Sequence, residues 1–140
     1  MKQAFSAATA HIVPLPKEVD ATTLATLTDE ELALVLHRGL KEEDSWVFMV
    51  NPDLILRQIG DEWMLVPTGE FAQHFNGMIS QNEFSHFIWN QFTEPHSIGE
   101  VLSAVREEFE DDEGNMDIEV RHQIEDFARM GLILEKKETN

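Results

Sequence analysis

The chain contains no cysteine. That excludes disulfides, thiolate metal sites and a cysteine nucleophile, and it fits a reducing compartment. Long hydrophobic runs are also missing, since none approaches the roughly 20 residues needed to cross a bilayer. The stretch Met1 to Val13 has neither a basic leader nor a continuous apolar centre, so no signal peptide is expected and a cytoplasmic protein is. Positive charge is scarce: 10 basic side chains stand against 27 acidic ones, a net of −17. This disfavours nucleic acid, where Lys and Arg neutralise phosphates to supply most of the affinity. It equally disfavours anionic membrane surfaces. The acidity serves solubility or steers a basic partner.

Catalytic signatures are absent as well. There is no Gly-rich phosphate loop, no Gly-x-Ser-x-Gly elbow and no His-Glu-x-x-His pair. The histidines His11, His37, His74, His86, His96 and His122 are scattered, and none pairs with another at helical spacing as two ligands on one face. The acidic run Glu110 to Asn115 lacks the alternating ligands and closing Glu of a calcium loop, and reads as solvated. No catalytic residue, metal ligand or cofactor is nominated, and no enzyme activity is expected.

What is present is a core and a clear succession of elements. With 140 residues, 42% of them apolar, the chain reads as one domain with an appendage. Pro14 and Pro16 keep the start extended or looped. Thr28 and Glu31 form a capping box, with Leu27 and Leu32 at the staple positions. Leu32, Val35, Leu36 and Leu40 continue the stripe, and Gly39 is the expected stop, followed by a charged loop from Lys41 to Asp44. Trp46 to Val50, Leu54 to Ile59 and Trp63 to Val66 read as strands, the last two joined by a tight Gly60-Asp61 turn. A further short strand starts near Met78-Ile79.

Three helices follow. Phe84, Phe87, Ile88 and Phe92 share the face of the first, capped by Asn82 or Ser80. The second opens on the capping box Ser97 and Glu100, and buries Ile98, Val101, Leu102, Val105 and Phe109. The third, capped by Asp117, carries Val120, Ile124 and Phe127 and stops at Gly131. Leu132 to Leu134 then reads as a closing strand. Trp89 with Phe87 and Phe92 is expected in the core, Trp63 half-buried, and Trp46 free to pack the extension or line a patch.

The order gives an α+β, winged helix-turn-helix-like module: a small antiparallel three-stranded sheet packed on three helices, preceded by a helical and extended N-terminal extension. Residues 1–50 form that extension and 51–140 the main domain. A winged helix can bind DNA through its last helix. Here Ile98 to Asn140 holds 5 basic and 13 acidic residues, 5 − 13 = −8. Carboxylates at Asp117, Glu119, Glu125 and Asp126 would face phosphates, so a transcriptional regulator is the lesser alternative.

At this point the residues become specific. The run Asp61-Glu62-Trp63-Met64-Leu65-Val66-Pro67-Thr68-Gly69-Glu70, then Phe75-Asn76-Gly77-Met78-Ile79-Ser80-Gln81-Asn82-Glu83 and Phe87-Ile88-Trp89, resembles the PqqD family. So does Asp126-Phe127-Ala128-Arg129-Met130-Gly131-Leu132-Ile133-Leu134. The resemblance covers about residues 53–135 and leaves 1–50 outside. It departs at Gln81, where the family pattern has leucine, and at Phe84, where it has a small residue.

The resemblance implies a winged-helix peptide chaperone, also called a RiPP precursor recognition element. Such a module binds the leader of a ribosomally made precursor peptide and presents it to a modifying enzyme, often a radical SAM protein. The peptide is implied to add as a strand to the small sheet and to lie against the third helix. Strand addition needs an open sheet edge, which places Met78, Ile79, Ser80 and Gln81 on one side of the site. Arg121, Ile124, Glu125 and Ala128 of the third helix form the other side. A scaffolding subunit that binds a folded enzyme is a further alternative. The extension can cover the sheet, contact the modifying enzyme or mediate self-association, so a homodimer stays open.

Overall fold

Thr28 and Glu31 close on each other at the start of the first helix. The Thr28 hydroxyl accepts from the Glu31 amide at 3.2 Å, and the Glu31 carboxylate accepts from the Thr28 amide at 3.0 Å. This is the expected capping box, and helix α1 spans Asp29–Asp44. The computed structural model describes residues 12–136, in two compact units, Met1–Trp46 and Val47–Asn140. His11 and most of the Met1 to Val13 start lie outside the described residues.

In the first unit a short 3-10 helix, Ala21–Thr26, precedes α1 and is capped by the Asp20 side chain. The expected stop at Gly39 and the charged loop over 41–44 are both overturned, because α1 runs through them to Asp44. Gly39 has a different task. It is buried, and a Cβ there would collide with the Pro14 carbonyl oxygen and the Val13 side chain. The glycine lets the proline-rich segment lie directly on the helix. Of the expected stripe, Val35 and Leu40 are partly buried, while Leu32 and Leu36 are exposed.

In the second unit β1 is Val47–Val50, β2 Leu54–Ile59, β3 Glu62–Pro67 and β4 Ile79–Gln81. Strands β2 and β3 pair antiparallel from Leu54↔Pro67 to Ile59↔Glu62, with Gly60-Asp61 as the two-residue turn. Strand β4 pairs antiparallel with β3 through Trp63↔Gln81, Met64↔Ser80 and Leu65↔Ile79. This is the expected three-stranded sheet, in the order β2-β3-β4.

The sequence does not announce a second sheet, yet one is present. Strand β5, His96–Ser97, and strand β6, Ile133–Glu135, flank β1 on either side, both antiparallel. Residues 47–50, which the sequence groups with the extension, therefore pair inside the second unit. The closing strand also has its own destination: it joins β1 and not the β2-β3-β4 sheet.

The helices are α2 (Glu83–Gln91), α3 (Ile98–Glu108) and α4 (Met116–Met130). Asn82 caps α2 by accepting from the Ser85 amide at 2.8 Å, while Ser80 belongs to β4. The capping box of Ser97 and Glu100 opens α3 as expected. At α4 the expected cap is corrected. Asp117 sits inside the first turn and takes both Nε and Nη2 of Arg106 from α3, at 3.1 and 2.5 Å. The orphan amide of Met116 donates instead to Asp111 at 3.2 Å. Arg106 draws the later carboxylate away, and an earlier one in the acidic loop takes over the terminus.

The apolar faces of the three helices meet in one core to which both sheets contribute, with Leu54 and Leu65 from one and Phe48 and Ile133 from the other. Leu65, Ile88, Phe92, Leu102, Val105, Val120, Ile124 and Leu132 are all buried in that core. Trp89 joins them and donates its indole N–H to the Leu132 carbonyl at 3.4 Å.

Candidate functional site

The strand half of the site is held from behind by a polar turn. Asn51 is buried, donates to the Gly131 carbonyl at 2.8 Å and accepts from the Asp53 amide at 2.9 Å. The Asp53 carbonyl receives both the Thr68 amide and the Thr68 hydroxyl at 2.7 Å. The Asp53 carboxylate accepts from the Phe71 amide at 3.3 Å. These bonds fasten the segment that leads from β3 into β4. It contains a short 3-10 helix, Phe71–Gln73, whose Phe71 ring packs beside Gly131.

Strand β4 is terminal in its sheet. Its inner edge pairs with β3, and among the described residues no strand pairs with its outer edge. Alternation along β4 sorts its side chains. Ser80 is exposed, and Met78 just before the strand is 58% exposed. Ile79 points inward, opposite Leu65, and packs on the core. Gln81 points the same way and is only 3% exposed, although it is polar.

The helix half is mixed. Arg121, Glu125 and Ala128 are partly buried on α4. Ile124, expected to reach the groove, is buried in the core at 2% exposed. The two halves are joined through α2. Its first residue follows Asn82 directly after β4, and its Ser85 hydroxyl bonds the Gln123 side chain of α4 at 2.7 Å.

Beside the end of β4 lies a cavity of about 570 Å³. Ser80 and Gln81 line it, while the α4 residues of the site do not. Part of its lining is a stacked pair: the Trp63 and His86 rings lie 3.9 Å apart at 4°. Phe109 closes it from the end of α3, with its ring edge-on to Phe87 at 5.3 Å. Burial holds the His86 imidazole below the ordinary histidine value of 6.5, which keeps it neutral at pH 7. His86 Nδ1 and both polar atoms of the Gln81 amide are buried without a hydrogen-bond partner. Sequence reading missed Trp63 and His86 as site residues. The signal available was the register, because a two-residue turn after Ile59 fixes which strand positions face inward.

Among the described residues no group of three His, Asp or Glu side chains is placed to hold a metal ion. No described helix is long and apolar enough to cross a membrane.

A family model described as Coenzyme PQQ synthesis protein D (PqqD) matches residues 62–133, just over half of the chain. No curated protein matches the sequence. A solved structure, TbiB1 in complex with the TbiA(beta) leader peptide, aligns at 15% identity and a TM-score of 0.49. The alignment covers 66% of this chain and 99% of that one.

Proposed function

Since this chain belongs to the PqqD family, we propose that it captures the leader of a ribosomally made precursor peptide and presents it, without catalysis of its own, to a modifying enzyme such as a radical SAM protein. The observation that carries this reading is the outer edge of β4, which ends its sheet with Met78 and Ser80 exposed. A guest strand laid along it would satisfy the main-chain groups that point away from β3. Side chains then select the guest: Met78, Ile79, Ser80 and Gln81 from the strand, and Arg121, Glu125 and Ala128 from α4. Ile124 contributes from beneath, as the floor of the α4 stripe. The net charge of −17 weighs against the regulator reading, because a DNA backbone would be repelled.

The test is a titration of the ¹⁵N-labelled full chain with synthetic leaders encoded beside its gene. One peptide is expected to bind at micromolar strength or better and to shift the amides of Met78 to Gln81, with the peptide recovered unaltered. Motionless β4 amides with every neighbouring peptide would sink the reading.

A further inference from the structure

The least comfortable group in the second unit is the Gln81 amide. It is 97% buried, since only 3% is exposed, and neither its oxygen nor its nitrogen has a partner. Burial of an amide without hydrogen bonds costs free energy, and a leucine of similar size would fill the same position without that cost. Gln81 is one of the residues that line the cavity beside β4, so a guest that enters there and displaces the thin cover over the amide can supply what the fold does not.

The walls state what kind of guest. Asp61, Glu62, Glu83 and Glu108 all line the cavity, and no lysine or arginine does. The Gln81 oxygen and the neutral His86 ring add neutral acceptors, and the Trp63 ring adds an aromatic surface. Such walls want a cation that is planar, rich in donors and weakly hydrated. A guanidinium meets all three conditions, whereas an ammonium is compact, strongly hydrated and carries fewer donors. The amide nitrogen of Gln81 needs an acceptor as well, and a carbonyl oxygen elsewhere on the guest can supply it.

We propose that this cavity is a specificity pocket for one arginine side chain of the guest peptide, with its guanidinium on the acidic walls and on the Gln81 oxygen. The proposal rests on the peptide-capture reading and adds to it the class of residue the leader must carry near the end of β4. The pocket joins Ser80 and Gln81 of β4 to Asp61 and Glu62 at the β2–β3 turn.

The test uses the ¹⁵N-labelled full chain and three blocked single residues as probes: acetyl-arginine methylamide, acetyl-lysine methylamide and acetyl-citrulline methylamide. Citrulline keeps the shape of arginine and removes its charge. The arginine probe is expected to shift the Gln81 side-chain amide and the Trp63 indole signal, and to bind at least about tenfold more tightly than the citrulline probe. Joint substitution Glu62→Gln and Glu83→Gln should erase that preference. Gln81→Leu should lower arginine binding while the dispersed spectrum of the folded chain is retained. Equal binding of arginine and citrulline, or no movement at Gln81 and Trp63, overturns the proposal. Tighter binding of free arginine than of the blocked residue also overturns it, in favour of a free metabolite. The two readings separate cleanly. Leaders that shift β4 while the arginine probe leaves Gln81 still remove the pocket alone. An arginine probe that moves Gln81 while no leader moves β4 removes the peptide reading and leaves a guanidinium site.

Discussion

Gly131 and Phe71 meet where α4 ends, and the contact is tight for any added side chain. Gly131 has φ +79°, and a Cβ there would stand 3.1 Å from the Phe71 ring. Both the left-handed backbone and the close ring oppose substitution. Gly131→Ala should therefore lower stability by about 1 kcal/mol or more, read as a lower urea midpoint with an unchanged slope. His86 offers a test of a different kind. Its folded pKa lies below 6.5, so the unfolded chain binds the proton first as pH falls. Its contribution to stability is whole above 6.5 and is lost below it as the pH approaches the folded value. The capping carboxylates Asp20, Glu31 and Glu100 are also held low, by hydrogen bonds from Thr22, Thr28 and Ser97 respectively. Their losses fall lower still, beneath 4.5 for the glutamates and 3.8 for Asp20. Melting temperature should thus begin to drop just below pH 6.5, and His86→Gln should delay that drop until the carboxylate range. An identical profile in the variant would show that another group titrates there. At this scale the sequence is readable where chemistry is local. Capping boxes and the Gly131 stop depend on neighbours within a few positions, whereas the burial of Gln81 depends on α2 and β3 and cannot be read from its surroundings in the chain.

At the scale of elements, period and punctuation explain most of what is legible. The β2–β3 hairpin, α2, α3 and α4 all show their pattern within their own span, and all form close to the expected positions. The exceptions have separate causes. Strand β5 has only two residues, too few for any alternation to register. The partner of β6 is β1, far away in the chain, and no local pattern reports that pairing. Helix α1 runs through Gly39 because a buried glycine can mark close packing as well as an end. Strand β4 is the element on which the proposed capture turns, and it has only three residues paired with β3. A guest strand would use its other edge, so a proline within it should act twice. Ile79→Pro removes one strand donor and fixes φ near −65°. Leader binding should fall below detection in calorimetry while the far-ultraviolet helical signal stays within a few per cent of the parent, since α2 to α4 do not depend on that donor. Retained binding in a folded Ile79→Pro protein would exclude strand addition at β4.

The whole molecule is an acidic surface, and that property was plain from composition alone. What composition could not reveal is where the charge gathers: the turn, β3, α2 and α3 each bring a carboxylate to one cavity, and only the fold unites them. A net charge of −17 also acts before contact. It repels anionic partners and draws cationic ones, and this steering raises association rates by ~10- to 1,000-fold when the charges are complementary. Salt removes the effect because the screening length falls from about 30 Å at 0.01 M to about 10 Å at 0.1 M. A leader bearing lysine or arginine should therefore associate at least about tenfold more slowly at the higher salt, with its dissociation rate changing far less. Citrulline in place of its arginines should flatten that dependence. Stopped-flow fluorescence, with the dye placed on the peptide, separates the two rates. If the association rate of a basic leader proves insensitive to salt, long-range attraction has no part in capture, and the acidity of the chain serves solubility alone.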